Sequence, residues 1–108
     1  GAFPTWLAPV QARVLPVADA HSEYAASVAV QLRDAGYRVD VIEANDALGK
    51  RIRTAKLEKI PYVLVVGDND VANTTLGVNA RGADVERDVP IDTFIGRLDA
   101  ETDLSTLV

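Results

Sequence analysis

Cysteine and methionine are both absent from this 108-residue chain, and histidine occurs once. Without a thiol there is no disulfide framework, no thiolate zinc site, no cysteine nucleophile and no dithiol redox chemistry. The lack of methionine points to a fragment, and Gly1 and Ala2 read as a cloning remnant, with the natural segment expected to begin near Phe3. No stretch approaches the roughly 20 apolar residues of a membrane-spanning helix, and the start has neither the basic nor the apolar region of a signal peptide. A cytosolic location and no membrane partner are the resulting expectations.

What is present fits one compact domain: 48% of residues are hydrophobic and 25% charged. At this size folding hides roughly 65% of the surface of the unfolded chain, enough for one core but not for a deep catalytic cleft with a lid. Acidic residues number 16 against 11 basic ones, for a net charge of −5 and a pI near 4.7. Indiscriminate coating of DNA or an anionic membrane is excluded, and any nucleic-acid site must be local.

Phe3 to Pro9 (FPTWLAP) has two prolines and two aromatics without a period. It reads as an extended junction that packs Phe3, Trp6 and Leu7 onto a neighbour. Val10 to Val17 fits a buried strand, with Pro16 expected to limit it to its first six residues. Tyr24, Ala25, Val28, Ala29, Leu32 and Ala35 then recur at helical spacing, with Asp19 or Ser22 as the cap and Gly36 as the stop. Tyr37 to Ile42 alternates as a second strand. A second helix is expected after Asn45 or Asp46, running to about Lys59 with Leu48, Ile52 and Ala55 as its apolar stripe. At 100° per residue Lys50 and Arg53 project from its opposite face.

Ile60 to Gly67 (IPYVLVVG) is nearly all apolar, as expected of a central parallel strand covered on both faces. After a turn over Gly67 to Asn73, Thr74 to Arg81 and Asp84 to Val89 read as an antiparallel pair, the second a charged edge. Pro90 opens a last helix whose Ile91, Phe94, Ile95 and Leu98 share a face, and the tail from Asp99 is expected to fray. The order β-α-β-α-β-β-β-α gives an α/β fold with a mixed five-stranded sheet and three helices. Two helical crossovers make the first three strands parallel, and short connections make the rest antiparallel.

Catalytic signals are weak. His21 stands at a helix start beside acids, where a lone histidine is far more often a cap or surface residue than a general base. Asp84, Glu86 and Asp88 would share one strand face and could attract a hard metal ion, but a solvated edge is the stronger reading. The segment GDNDVA lacks the glycines of dinucleotide and phosphate loops. No catalytic residue and no metal site are assigned.

Charge is unevenly placed. Lys50, Arg51, Arg53, Lys56 and Lys59 are five of the eleven basic residues, so the window 47–59, with the single acid Glu58, carries +4. Beyond Ile60, nine acids face only Arg81, Arg87 and Arg97. One basic face beside one acidic flank suits oriented binding of a phosphate backbone. Single-stranded RNA loops are read by amides, carboxylates and guanidinium groups. Asn45 precedes the basic helix, Arg53 is on its outer face and Asp70 follows the central strand. Asn45 and Asp70, both after parallel strands, are expected to meet on one rim of the sheet.

Beyond these patterns, Phe3 to Val17 (FPTWLAPVQARVLPV), Asn45 to Arg53 (NDALGKRIR) and Lys59 to Asp68 (KIPYVLVVGD) resemble the carboxy-terminal anticodon-binding domain of threonyl-tRNA synthetases. The similarity runs from Phe3 to Leu98. The first segment is the most specific, since the class II relatives for proline, glycine and histidine share the fold and differ around it. The resemblance implies binding to the anticodon loop of the threonine tRNA, with recognition of guanosine and uridine at the second and third positions. It places Asn45, Arg53 and Asp70 where the family has asparagine, arginine and glutamate; Asp70 is one methylene shorter. A further family arginine falls on Asn79, which removes a charge and a bidentate donor. Arg81, two residues on, is expected to take over part of that contact, and Lys50 to join the RNA-binding face.

The resemblance also implies that ATP, magnesium and zinc serve a separate catalytic domain, with no cofactor held here. Residues 3–9 would join that domain, residues 10–108 would form the anticodon-binding domain, and homodimer contacts would lie in the catalytic part, leaving this domain monomeric. No DNA partner is implied. The competing readings from the residues are a thioredoxin-like module without redox function and a receiver-like module using Asp19 and Asp40. Both would be protein-interaction modules without catalysis.

Overall fold

The computed structural model describes residues 4–102. Five strands form one mixed sheet: β1 Ala12–Pro16, β2 Val39–Val41, β3 Tyr62–Val66, β4 Thr75–Ala80 and β5 Glu86–Pro90, in the order β2-β1-β3-β4-β5. β1 is parallel to β2 and β3, while β4 and β5 add antiparallel. The helices are α1 Ser22–Asp34, α2 Leu48–Leu57, a short α3 Asp68–Asn73 and α4 Ile91–Thr102. The mixed five-stranded sheet with three main helices is as expected from the sequence.

The two faces of the sheet are covered unequally. On one face Val14, Leu64, Val66, Leu76 and Val78 pack with Val28 and Leu32 of α1 and Phe94 and Leu98 of α4. Alternation sends Leu15 and Val63 to the other face, where they pack with Ala55, Leu48 and Ile52 of α2 and with Val10 and Ile60. Two helices therefore close one face and one helix half-closes the other. The uncovered half lies over β3, β4 and β5.

Several expectations need correction. Pro16 does not end β1 early; it is the last strand residue, opposite Val66. Neither Asp19 nor Ser22 caps α1. A 3-10 turn over Asp19–His21 leads into the helix, and the Ser22 hydroxyl donates to Glu43 instead. α2 begins at Leu48, after Ala47, without a side-chain cap. The turn after β3 contains α3, whose first turn is capped from within, because Asp70 accepts the Gly67 N–H at 3.0 Å. Pro90 closes β5 and the helix starts one residue later.

The chain does not fray at Asp99. α4 continues to Thr102, Asp99 accepts a hydrogen bond from the Tyr37 hydroxyl, and Glu101 accepts from the hydroxyls of Thr5 and Tyr62. These bonds fix the last turn against both the lead-in segment and the sheet. Residues beyond Thr102, and Phe3, lie outside the described residues. In the lead-in segment a 3-10 turn over Thr5–Leu7 buries Thr5 and Ala8 and leaves Trp6 and Leu7 exposed.

The acids of the edge strand do not share a face. Asp84 precedes β5, and Asp88 has φ 56, a left-handed conformation that breaks the alternation. Among the described residues no group of three acidic or histidine side chains converges as a metal site would require.

Candidate nucleic-acid interface

The interface is built around α2, which arginines fix at both ends. At its carboxy-terminal end Arg13 of β1 pairs with Glu58 and, across the parallel ladder, with both oxygens of Asp40 at 2.9 Å. The Asp40 hydrogen bonds raise the Arg13 pKa further above its usual range, against the opposing effect of burial. Asp40, expected in a receiver-like module to be a free acid, is thereby consumed.

At the other end Arg51 is only 4% exposed. Its guanidinium donates to the carbonyls of Pro16 at 2.7 Å, Asp46 at 3.0 Å, Ile42 at 3.3 Å and Val17 at 3.4 Å. One side chain thus joins the ends of β1 and β2 to the turn before α2. Arg51 therefore contributes to the charge count of 47–59 but not to the outward basic face. The outward cations of this segment are Lys50, Arg53, Lys56 and Lys59, all exposed. Lys50 makes an exposed pair with Asp46 at 3.5 Å, which adds little to stability.

Beside α2 the uncovered half of the sheet forms an open cleft of about 640 Å³. Val65, Gly77 and Asn79 make its floor, Leu48 and Ile52 of α2 one wall, Asp68 and Asp70 of α3 its end, and Val85 and Arg87 the far wall. Gly77 matters to its depth. A Cβ there would lie 3.2 Å from the Val65 carbonyl oxygen and stand in the cleft, so the missing side chain keeps the floor low. A second hollow of about 570 Å³ shares Asn79 and Val85 with the first and continues past Lys56 to Arg81.

Of the six residues expected to bind RNA, the structure brings Asp70 and Asn79 into the first cleft and Asn79 and Arg81 into the second. Asn45 is exposed in the turn before α2, and Lys50 and Arg53 are exposed on the helix; none of the three lines the clefts. Asn45 and Asp70 follow β2 and β3, strands that β1 separates by about 10 Å at the usual spacing, and only Asp70 lines the cleft. Asp70 also has structural work. Besides the Gly67 N–H it accepts the Thr75 hydroxyl at 2.8 Å, leaving one free acceptor direction on each oxygen. Arg81 donates to the Lys59 carbonyl at 3.1 Å.

His21 is buried, not on the surface. Its Nδ1 accepts the Ala18 N–H at 3.2 Å, so Nε2 carries the proton that it shares with Asp68 at 2.6 Å. It joins the loop after β1 to the start of α3 at the cleft end. Sequence reading missed Arg87, which lines the cleft. Its one signal was its place between two valines on an acidic edge, and a displaced register hid its direction.

Residues 11–101 match the family model described as "Anticodon binding domain". The chain is 45% identical to the threonine–tRNA ligase of Lactobacillus acidophilus over 94% of its own length and 16% of that protein's. Against that of Thermotoga neapolitana it is 46% identical, with the same coverage. It therefore spans about one-sixth of the curated relatives it matches. Among solved structures, the RNA-binding domain of threonyl-tRNA synthetase from Cryptosporidium parvum superposes with a TM-score of 0.88 at 29% identity, over 94% of this chain and 26% of that one. Prolyl-tRNA synthetase from the same organism gives 0.82 at 20% identity, over 94% and 22%, a likeness of fold. Because the family match covers the sheet, α2 and both clefts, the chain belongs to the anticodon-binding domain family.

Proposed function

We propose that this chain is the anticodon-reading domain of a threonine–tRNA ligase, which binds the anticodon loop of the threonine tRNA so that the rest of the enzyme can attach threonine. The observation that carries the reading is the half-open cleft, with an amide on its floor and a carboxylate at its end, bordered by a helix with outward cations. A phosphate backbone needs the cations and splayed bases need the floor. The choice of threonine rests on identities of 45–46% along almost the whole chain.

In this reading Asn45, Lys50 and Arg53 hold the loop from the α2 side, and Arg81 from the far hollow. Asp70 and Asn79 meet base edges; a carboxylate accepts from guanine's Watson–Crick edge, and an amide both donates and accepts. The chain itself performs no catalysis. ATP, magnesium and zinc belong to the remainder of a cytoplasmic, dimeric enzyme, and this domain alone is a monomer.

The test is binding of the chain to the anticodon stem-loop of the threonine tRNA and to the same stem-loop with its second anticodon base replaced, across a series of salt concentrations. Tighter binding of the unaltered loop, weakening with salt, supports the reading. Equal affinity for the two loops refutes it.

A further inference from the structure

The inner cleft has an unusual charge balance for the site of a polyanion. Asp68, Asp70 and Asp88 line it, while among the described residues its only arginine or lysine is Arg87. Phosphates are repelled from such a floor, so what enters must be bases, and a group is needed there to satisfy their carbonyl and ring-nitrogen acceptors. Asp70 only accepts. Asn69 and Asn79 each donate through a single amide, and no guanidinium but that of Arg87 lines the cleft among the described residues.

The backbone sets Arg87 in that position through a register displacement. Leu76 pairs with Val89 and Val78 with Glu86, so two steps along β4 face three along β5. The extra residue is a β-bulge, with Asp88 at φ 56. In a regular strand Arg87 and Val89 would point to the same face. Here Val89 is buried in the core under α1 and α4, Glu86 reaches Arg97 of α4 at 2.8 Å, and Arg87 lines the cleft on the opposite face. Gly77, on the β4 segment facing the bulge, has no side chain to occupy the floor. Among the described residues Arg87 makes no hydrogen bond or ion pair, even beside Asp88. Its planar donor fork is left for a ligand.

Resting on the anticodon reading above, we infer that Arg87 is a specificity-determining residue of this site, its guanidinium donating to the acceptor edge of an anticodon base held over Gly77 and Asn79. Arg81 cannot duplicate this from the far hollow, where it donates to the Lys59 carbonyl, and its part is in holding the backbone.

Affinities of the parent chain and of Arg87→Ala, Arg87→Lys and Arg81→Ala for the unaltered and base-replaced stem-loops decide the matter. Arg87→Ala is expected to reduce the preference for the unaltered loop by about tenfold, as loss of a base contact does. Arg87→Lys keeps the charge but not the fork, and is expected to leave the preference reduced. Arg81→Ala should weaken both loops in common. Retained preference in Arg87→Ala, or full preference in Arg87→Lys, overturns the inference. If the parent shows no preference, the anticodon reading itself fails, a distinct result. Arg87 is exposed, so an unchanged thermal midpoint verifies that each variant is folded.

Discussion

Replacing Arg51 by methionine tests whether a side chain in the middle of a cationic helix is structural. Methionine keeps much of the aliphatic stem and removes every donor. Two of the lost bonds are well formed, to Pro16 at 2.7 Å and Asp46 at 3.0 Å; those to Ile42 and Val17 are long. Charge-assisted hydrogen bonds contribute about 1.5–3 kcal/mol each, so the two short ones set the loss at about 3–6 kcal/mol. Water reaching the Asp46 carbonyl, next to an exposed turn, would bring the value toward the lower bound. Even about 3 kcal/mol is a large part of the roughly 5–15 kcal/mol that stabilises a domain. Urea unfolding followed by circular dichroism measures the difference, and hydrogen exchange locates it. The amides of the turn at 43–47 should lose protection before those of β3. A loss below about 1 kcal/mol would refute the assignment, placing Arg51 among ordinary surface cations.

Three other outcomes follow from separate parts of the structure. Gly77→Leu fills the cleft floor and crowds the Val65 carbonyl; affinity for the anticodon stem-loop should fall at least about tenfold while stability falls by about 1–3 kcal/mol, the usual cost of overpacking, and unchanged binding would remove the cleft from the interface. Glu101→Ala leaves the Thr5 and Tyr62 hydroxyls without their acceptor; a loss of about 1–3 kcal/mol in urea unfolding is expected, and none would mean that the last turn of α4 is not docked. Burial, with the charge of Asp70, pushes Tyr24 up to about 12, and burial also raises Tyr37 and Tyr62. Each folded pKa lies above the unfolded one, so this stabilisation is complete below pH ~10 and is lost as pH rises through the folded values. Phenolate absorbance should rise together with unfolding in that alkaline range; normal titration of all three tyrosines in the folded chain would contradict the burial.

Periodicity was sufficient for most of the architecture. IPYVLVVG is apolar throughout because β3 is central and covered at its parallel edge, and the helical spacing from Tyr24 to Leu32 reports the face that α1 turns to the sheet. What periodicity missed were positions where one residue's backbone or hydrogen bonding departs from its neighbours. A charge count over 47–59 includes Arg51 with the outward cations, although backbone carbonyls at two strand ends hold it inside. Strict alternation gave Arg87 and Val89 one face because a bulge has no mark of its own in ERDVP. The aperiodic lead-in gives no sign that a 3-10 turn over Thr5–Leu7 buries the polar Thr5 together with Ala8 and leaves Trp6 and Leu7 exposed. For the site, residue matches named Asp70 and Asn79 but could not show that two hydrogen bonds already occupy Asp70.

The net charge of −5 takes on a different meaning once the charges are located. Of the +4 carried by 47–59, Arg51 is withdrawn into the interior, Glu58 is bound by Arg13, and the cations left outward are Lys50, Arg53, Lys56 and Lys59. Across the cleft the acids are local as well: Asp68 is held by His21 and Asp70 by Gly67 and Thr75, so both are fixed in place. Under the proposed reading the consequence is a sorting surface, on which phosphates are drawn to one rim of exposed cations and refused by the acidic end of the neighbouring cleft. A loop can satisfy both only by laying its backbone along α2 and turning its bases inward. Negative charge at the cleft's end therefore favours that orientation even though it reduces overall attraction. Increased salt should accordingly weaken binding through the α2 rim while leaving the discrimination between bases, which depends on short hydrogen bonds at the floor, much less affected.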